Sequence, residues 1–77
     1  MTITIYSKQG CAPCANLKKW LSMKGHQFHE IDVVIEDKMH EVLNLTGFQM
    51  VPVTVVEKEG DKKVVAGFNL RELSSII

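Results

Sequence analysis

An excess of charge of either sign is missing from this 77-residue chain: nine Lys and Arg balance nine Asp and Glu, for a formal net charge of zero. No basic stripe runs along it, so a nucleic-acid partner is not expected. Long apolar runs are missing too, and the longest falls far short of the ~20 residues that span a bilayer. No basic segment followed by an apolar stretch opens the chain. No secretory leader is therefore expected, and a cytoplasmic address follows. Repeats, linkers and low-complexity tracts are absent, and at this length one domain is expected, with a modest core. Cysteine is scarce, with two residues in all. In a reducing compartment such a pair points to catalysis or metal binding rather than to a structural staple.

What is present centres on that pair. Cys11-Ala12-Pro13-Cys14 follows an alternating run, residues 2–6, in which Ile3 and Ile5 suit one face of a strand. Residues 16–24 read as a helix, with Leu17, Trp20 and Leu21 at helical spacing, Trp20 expected in the core, and Gly25 as the stop. A C-x-x-C between strand and helix suits a redox site. The unpaired N–H groups of a helix N-terminus favour a thiolate, so Cys11 is expected to ionise more readily than a free thiol. Cys14, one turn on, is placed to close a small disulfide loop. The expected roles are Cys11 as exposed nucleophile and Cys14 as buried resolving thiol. Lys8 and Lys18 are the cations near enough in sequence to assist.

Further along, residues 27–34 are β-rich and read as a second strand. Glu36 and Asp37 open a second helix with Met39, Val42 and Leu43 as its apolar stripe, ended by Gly47. Residues 53–57 and 63–66 form a hairpin about Lys58-Glu59-Gly60-Asp61. Asn69 and Glu72 have N-cap and N3 spacing ahead of Leu70, Leu73, Ile76 and Ile77. The order is β-α-β-α-β-β-α. It predicts an α/β fold with a four-stranded mixed sheet, the first two strands parallel through a right-handed crossover, and helices on both faces.

Three positions together, Cys11-Ala12-Pro13-Cys14 after the first strand, Val51-Pro52 before the third and Gly67-Phe68 after the fourth, resemble the glutaredoxin-type members of the thioredoxin superfamily. The resemblance covers nearly the whole chain. It implies a thioredoxin-like fold and a cis peptide at Pro52 facing the active site, where the residue alone would read as a trans proline opening an edge strand. It implies that Val51 offers backbone hydrogen bonds to an extended thiol substrate. Lys8 matches the glutaredoxin lysine near the glycyl carboxylate of glutathione, and reads equally as a solvated loop lysine. Thioredoxins carry a buried carboxylate where this chain has Ile5, and usually Trp where it has Gly10. Glutaredoxins carry an acidic residue for the glutathione amino group, whereas Ala66-Gly67-Phe68-Asn69-Leu70 has no carboxylate.

Residues 47–53 with Ala66-Gly67-Phe68 are similar to the NrdH-redoxins, which have a glutaredoxin shape and thioredoxin behaviour. Ala66 stands for their usual Ser, and Asn69-Leu70 for Arg-Pro. That resemblance implies a monomer with no bound cofactor beyond a redox-active disulfide. Its electrons would come from NADPH through thioredoxin reductase (or from glutathione), and its acceptor would be a protein disulfide such as that of ribonucleotide reductase. Lys8, Val51, Pro52, Gly67 and Phe68 would line the substrate site. Phe68 reads either as a docking residue or as a lid over the last helix.

The rival from another class is a metal site. Cys11, Cys14, His26 and His29 give C-x2-C followed by H-x2-H. The element order opposes zinc, because the histidines belong to the start of the second strand, at the far end of the sheet from Cys11. An iron–sulfur cluster bridged by glutathione is weakened by the missing acidic residue. His40 is expected on an exposed helix face, and Lys18, Lys19, Glu30 and Asp32 read as solvated charges.

Overall fold

Alternation along the strands decides where the helices go. The computed structural model describes all 77 residues. Its elements are β1 (Thr2–Ser7), α1 (Ala12–Met23), β2 (His29–Asp32), α2 (Met39–Thr46), β3 (Val53–Lys58), β4 (Asp61–Ala66) and α3 (Leu70–Ile76). The sheet order is β2-β1-β3-β4, with β1 and β2 parallel and the other pairs antiparallel. On one face Ile3, Ile5, Val56 and Val65 pack with Leu17 and Leu21 of α1 and Leu73 of α3. On the other, Tyr6, Val53 and Val55 pack with Val42 of α2 and with Val33. Helices thus cover both faces, as the element order predicts. Each fully buried Leu contributes about 1.5–3 kcal/mol relative to exposure, which is what draws the amphipathic helices down onto the sheet.

Several boundaries differ from the sequence reading. β2 begins at His29 rather than at residue 27, and β4 begins at Asp61, paired with Lys58, rather than at residue 63. Three further shifts have a local cause. Helix α1 begins one turn earlier, at Ala12, because Pro13 is tolerated in a first turn. Strand β2 stops at Asp32 although Val33, Val34 and Ile35 continue the apolar run. The Asp32 carboxylate accepts from the N–H groups of Val34 and Ile35, each at 2.9 Å, and folds the backbone into a turn. Helix α2 therefore starts at Met39 rather than at Glu36, and Asp37 takes a left-handed φ of 53° before it. Its buried side is Val42 with half-buried Met39 and Leu45, while Leu43 is 41% exposed. Trp20 is half-buried: it packs against the first cluster, and the Lys24 ammonium lies 5.9 Å from its ring centre.

The topology gathers four connections at one end of the sheet. β1 and β2 both end there, at Ser7 and Asp32, while β3 begins there and β4 ends there, with Tyr6 paired to Val53 and Val53 to Ala66. Residues 8–11, 33–38, 47–52 and 67–69 are the loops of that end. No helix is long and apolar enough to cross a membrane.

Candidate active site

Cys11 is the N-cap of α1, with an extended backbone (φ −96°, ψ 105°), and its sulfur accepts the backbone N–H of Cys14 at 3.2 Å. Gly10, at φ +75°, turns the chain into this cap through a conformation that costs glycine nothing. No acidic side chain stands in the first turn, so the positive end of the helix faces the Cys11 sulfur unopposed. The two sulfurs are bonded to each other, with the Cα atoms 5.3 Å apart. Cys11 is partly exposed and Cys14 only 1% exposed. The accessible sulfur is therefore the one a partner can reach, and the inner one can be reached only from Cys11.

The remaining predicted residues fall around this end. The Val51–Pro52 peptide is cis, Pro52 is buried and Val51 half-buried. One step beyond the Tyr6–Val53 pair in the antiparallel register, Pro52 comes alongside Ser7, the last residue before the cysteine loop. Gly67 donates its N–H to the Pro52 carbonyl at 2.8 Å, tying the two loops together. The φ of Gly67 is +77°, and a Cβ there would meet the Met50 methyl at 3.6 Å. Phe68 is exposed and joins neither core cluster, so it is no lid, whereas Leu70 packs on the first cluster. Lys8 is exposed and lines a shallow depression of about 130 Å³ with Gln9, Asp32, Val34 and Ile35.

One expected cap carries more than its spacing signals, and one ion pair escapes the sequence reading. Asn69 caps α3: its Oδ1 accepts the Glu72 N–H at 3.1 Å, and its amide donates to the Glu72 carboxylate at 3.2 Å. The N-cap and N3 spacing signals the cap, but not that a carboxylate is thereby drawn beside this loop. Glu30 and Lys18, expected as separate solvated charges, are paired. The Lys18 ammonium donates to Glu30 Oε2 at 2.6 Å, and the buried Ser7 hydroxyl donates to the same oxygen at 2.7 Å. The Lys18 contact, with that of Ser7, holds the Glu30 carboxyl below the ordinary carboxylate range. Only the parallel register, which sets Glu30 beside Ile5, reveals this.

The histidines stand elsewhere. His29 pairs with Thr4, well back from the cysteine end of β1. His26 follows the far end of α1, about 18 Å along the helix axis from its N-terminus. His40 is exposed on α2, and no three His, Cys, Asp or Glu side chains gather into a metal-binding group.

A glutaredoxin family model matches residues 3–60. The glutaredoxin-like protein NrdH of Lactococcus lactis subsp. cremoris is 34% identical over 74 residues, covering 96% of this chain and 97% of that protein. The N-acetyl-S-hydroxy-L-cysteine reductase of Bacillus subtilis is 28% identical over 74 residues, covering 95% of this chain and 80% of that one. The solved NrdH-redoxin of Escherichia coli superposes with a TM-score of 0.80 at 26% identity, covering all of this chain and 96% of that one.

Proposed function

The chain belongs to the glutaredoxin family and is a thiol–disulfide oxidoreductase, and from that premise we propose that it carries electrons from NADPH, through thioredoxin reductase, to protein disulfides. The observation that carries this reading is the rim of the cysteine end. Val34, Ile35, Phe48 and Phe68 are all exposed large apolar side chains on its loops. Such a rim suits a protein surface better than a small charged tripeptide. Asn69, the only polar side chain of residues 67–70, is already occupied in capping α3. Without a free carboxylate for the glutathione ammonium, about 1.5–3 kcal/mol is forgone, one to two decades in affinity.

The exchange runs in two balanced steps. The Cys11 thiolate attacks one sulfur of the partner disulfide, forming a Cys11–partner disulfide and releasing the other partner sulfur as a thiolate that takes up a proton. Cys14 then loses its proton and attacks the Cys11 sulfur, and the second partner sulfur leaves as a thiol. The partner has gained two electrons, and the chain is left with the Cys11–Cys14 disulfide seen here. The reductase reopens it with two electrons from NADPH. Lys8, Val51, Pro52, Gly67 and Phe68 contact the partner in this reading, with Val51 pairing to its extended segment. The similarity to NrdH proteins supports ribonucleotide reductase as one acceptor. A cytoplasmic monomer of one domain, without bound cofactor, completes the proposal.

The second reading is a glutathione-dependent dithiol redoxin. It is favoured by the exposed Lys8 and by the Glu72 carboxylate beside residues 67–69. A side-by-side NADPH-consumption assay separates the two, one arm with thioredoxin reductase and the other with glutathione and its reductase. Efficient turnover is expected in the first arm, weakened severalfold in KM by Phe68→Ala. Turnover confined to the glutathione arm replaces the first reading with the second.

A further inference from the structure

Two hydrogen-bond donors, one at the end of β1 that leads into the cysteine loop and one on the helix that the cysteines open, end on a single oxygen. The Ser7 hydroxyl has one proton, and it points at Glu30 Oε2, as does the Lys18 ammonium. Ser7 is 1% exposed and shares with Ile3 and Ile5 the sheet face that α1 covers. It closes β1 immediately before the cysteine loop. Lys18 lies one helical turn beyond Cys14 and two beyond Cys11, on the same side of α1. Cys14 itself is buried at the start of the same helix. Glu30 reaches in from the edge strand β2, as the cross-strand neighbour of Ile5.

We propose that Glu30 is a positioning residue for the redox pair: it holds the Lys18 ammonium and the Ser7 hydroxyl away from the two cysteine sulfurs, which makes the reduced protein the stronger reductant. Donors aimed at a thiolate stabilise the dithiol state and raise the potential. Donors fixed on a carboxylate instead do neither, and the negative charge of Glu30 opposes a second negative charge nearby. The groups that face Glu30 are Lys18 from α1, Ser7 from β1 and Asp32 on its own strand. Asp32 already accepts the N–H groups of Val34 and Ile35. The half-reaction is unchanged: the Cys11–Cys14 disulfide takes two electrons and two protons to give two thiols. Glu30 changes only its position of balance.

The inference rests on the dithiol exchange proposed above, and the test separates the two. The protein is equilibrated with mixtures of reduced and oxidised dithiothreitol, and the fraction in the disulfide form is measured by alkylation over a range of pH. Glu30→Gln is expected to move the equilibrium about tenfold toward the dithiol, about 30 mV, with Cys11 alkylation setting in at lower pH. Lys18→Gln is expected to move it severalfold the other way, because the carboxylate then stands uncompensated. The double variant should fall near wild type. A merely structural role would move both single variants in one direction. Glu30→Gln within twofold of wild type overturns the proposal, as do two single variants that shift alike. If Glu30→Gln does not fold, Lys18→Gln decides: a shift toward the disulfide supports the assignment, and no shift or the reverse overturns it. A wild-type protein that forms no reversible disulfide overturns the dithiol exchange as well.

Discussion

Cys14 turns its backbone N–H toward the sulfur of Cys11, 3.2 Å away, while its own side chain is buried beneath it. The same helical turn thus assists one sulfur and shields the other, and the asymmetry assigns attack to Cys11 and resolution to Cys14. Cys11→Ser is expected to abolish disulfide reduction. Cys14→Ser should instead accumulate a covalent adduct with a protein disulfide substrate, visible by intact mass, because attack survives and resolution does not. Wild-type turnover by Cys14→Ser would remove the dithiol mechanism.

Asn69 is where the choice of donor can be moved. Asp is as good an N-cap as Asn, so Asn69→Asp keeps the bond from the Glu72 N–H, although it gives up the amide donor to the Glu72 carboxylate. It adds a carboxylate where this loop has a neutral amide. Activity in the glutathione arm is expected to rise by about one to two decades, the scale of one charge-assisted hydrogen bond, with the thioredoxin reductase arm little changed. An unaltered glutathione arm would show that the missing carboxylate is not what discriminates.

Tyr6 is the one tyrosine of the chain, and its hydroxyl donates to Glu41 Oε1 at 2.9 Å. Burial first, then the hydrogen bond and charge of Glu41, push its phenol up from 10.0 to about 12. The bonds from Tyr6 and then Lys38 hold the Glu41 carboxyl below its ordinary 4.5. The two shifts act at opposite ends of the pH scale. The raised Tyr6 value contributes stability that is complete below pH 10.0 and lost as pH climbs toward 12. The depressed Glu41 value contributes stability present above 4.5 and lost as pH falls below it. Phenolate absorbance should therefore report a single titration near 12. Glu41→Gln should lower it only part of the way, since burial is the larger cause. A wild-type midpoint at 10.0 contradicts this account.

Leu21 and Met23 lie on the same helix and differ in what they bury. Leu21 is fully buried among Ile3, Ile5, Val56, Val65 and Leu73, whereas Met23 is 77% exposed. Leu21→Ala should cost about 2–5 kcal/mol through lost transfer energy and a cavity. That is a large share of the roughly 5–15 kcal/mol available to a small domain. Met23→Ala should stay within about 0.5 kcal/mol. Urea midpoints of the two variants check the contrast, and equal midpoints would place Leu21 outside the core.

Features that depend on neighbours in sequence are legible in the sequence itself. The cysteine pair at a strand-to-helix junction, the Asn69–Glu72 cap and the Glu59-Gly60 turn each follow from local geometry that the residue types prefer. Glu59 and Gly60 do take positive φ at the hairpin tip. The alternation of Ile3 and Ile5 and the spacing of Leu17 and Leu21 foretold which sides would be buried. The cis peptide at Pro52 came from family resemblance and not from the residue itself. What stayed hidden depends on partners far along the chain. Residues 27–34 read as strand, yet β2 pairs only as far as Asp32, where a side-chain cap outcompetes another rung of sheet. Leu43 fits an apolar stripe by pattern, but the packing of helix α2 turns Leu45 toward the sheet instead. Glu30 is an ordinary acidic residue in sequence. Only the parallel crossover, which lays β2 beside β1 and under the edge of α1, brings it within reach of both Ser7 and Lys18. Local preference selects conformations one turn or one strand at a time, whereas the energy of a charge depends on which groups the fold brings around it.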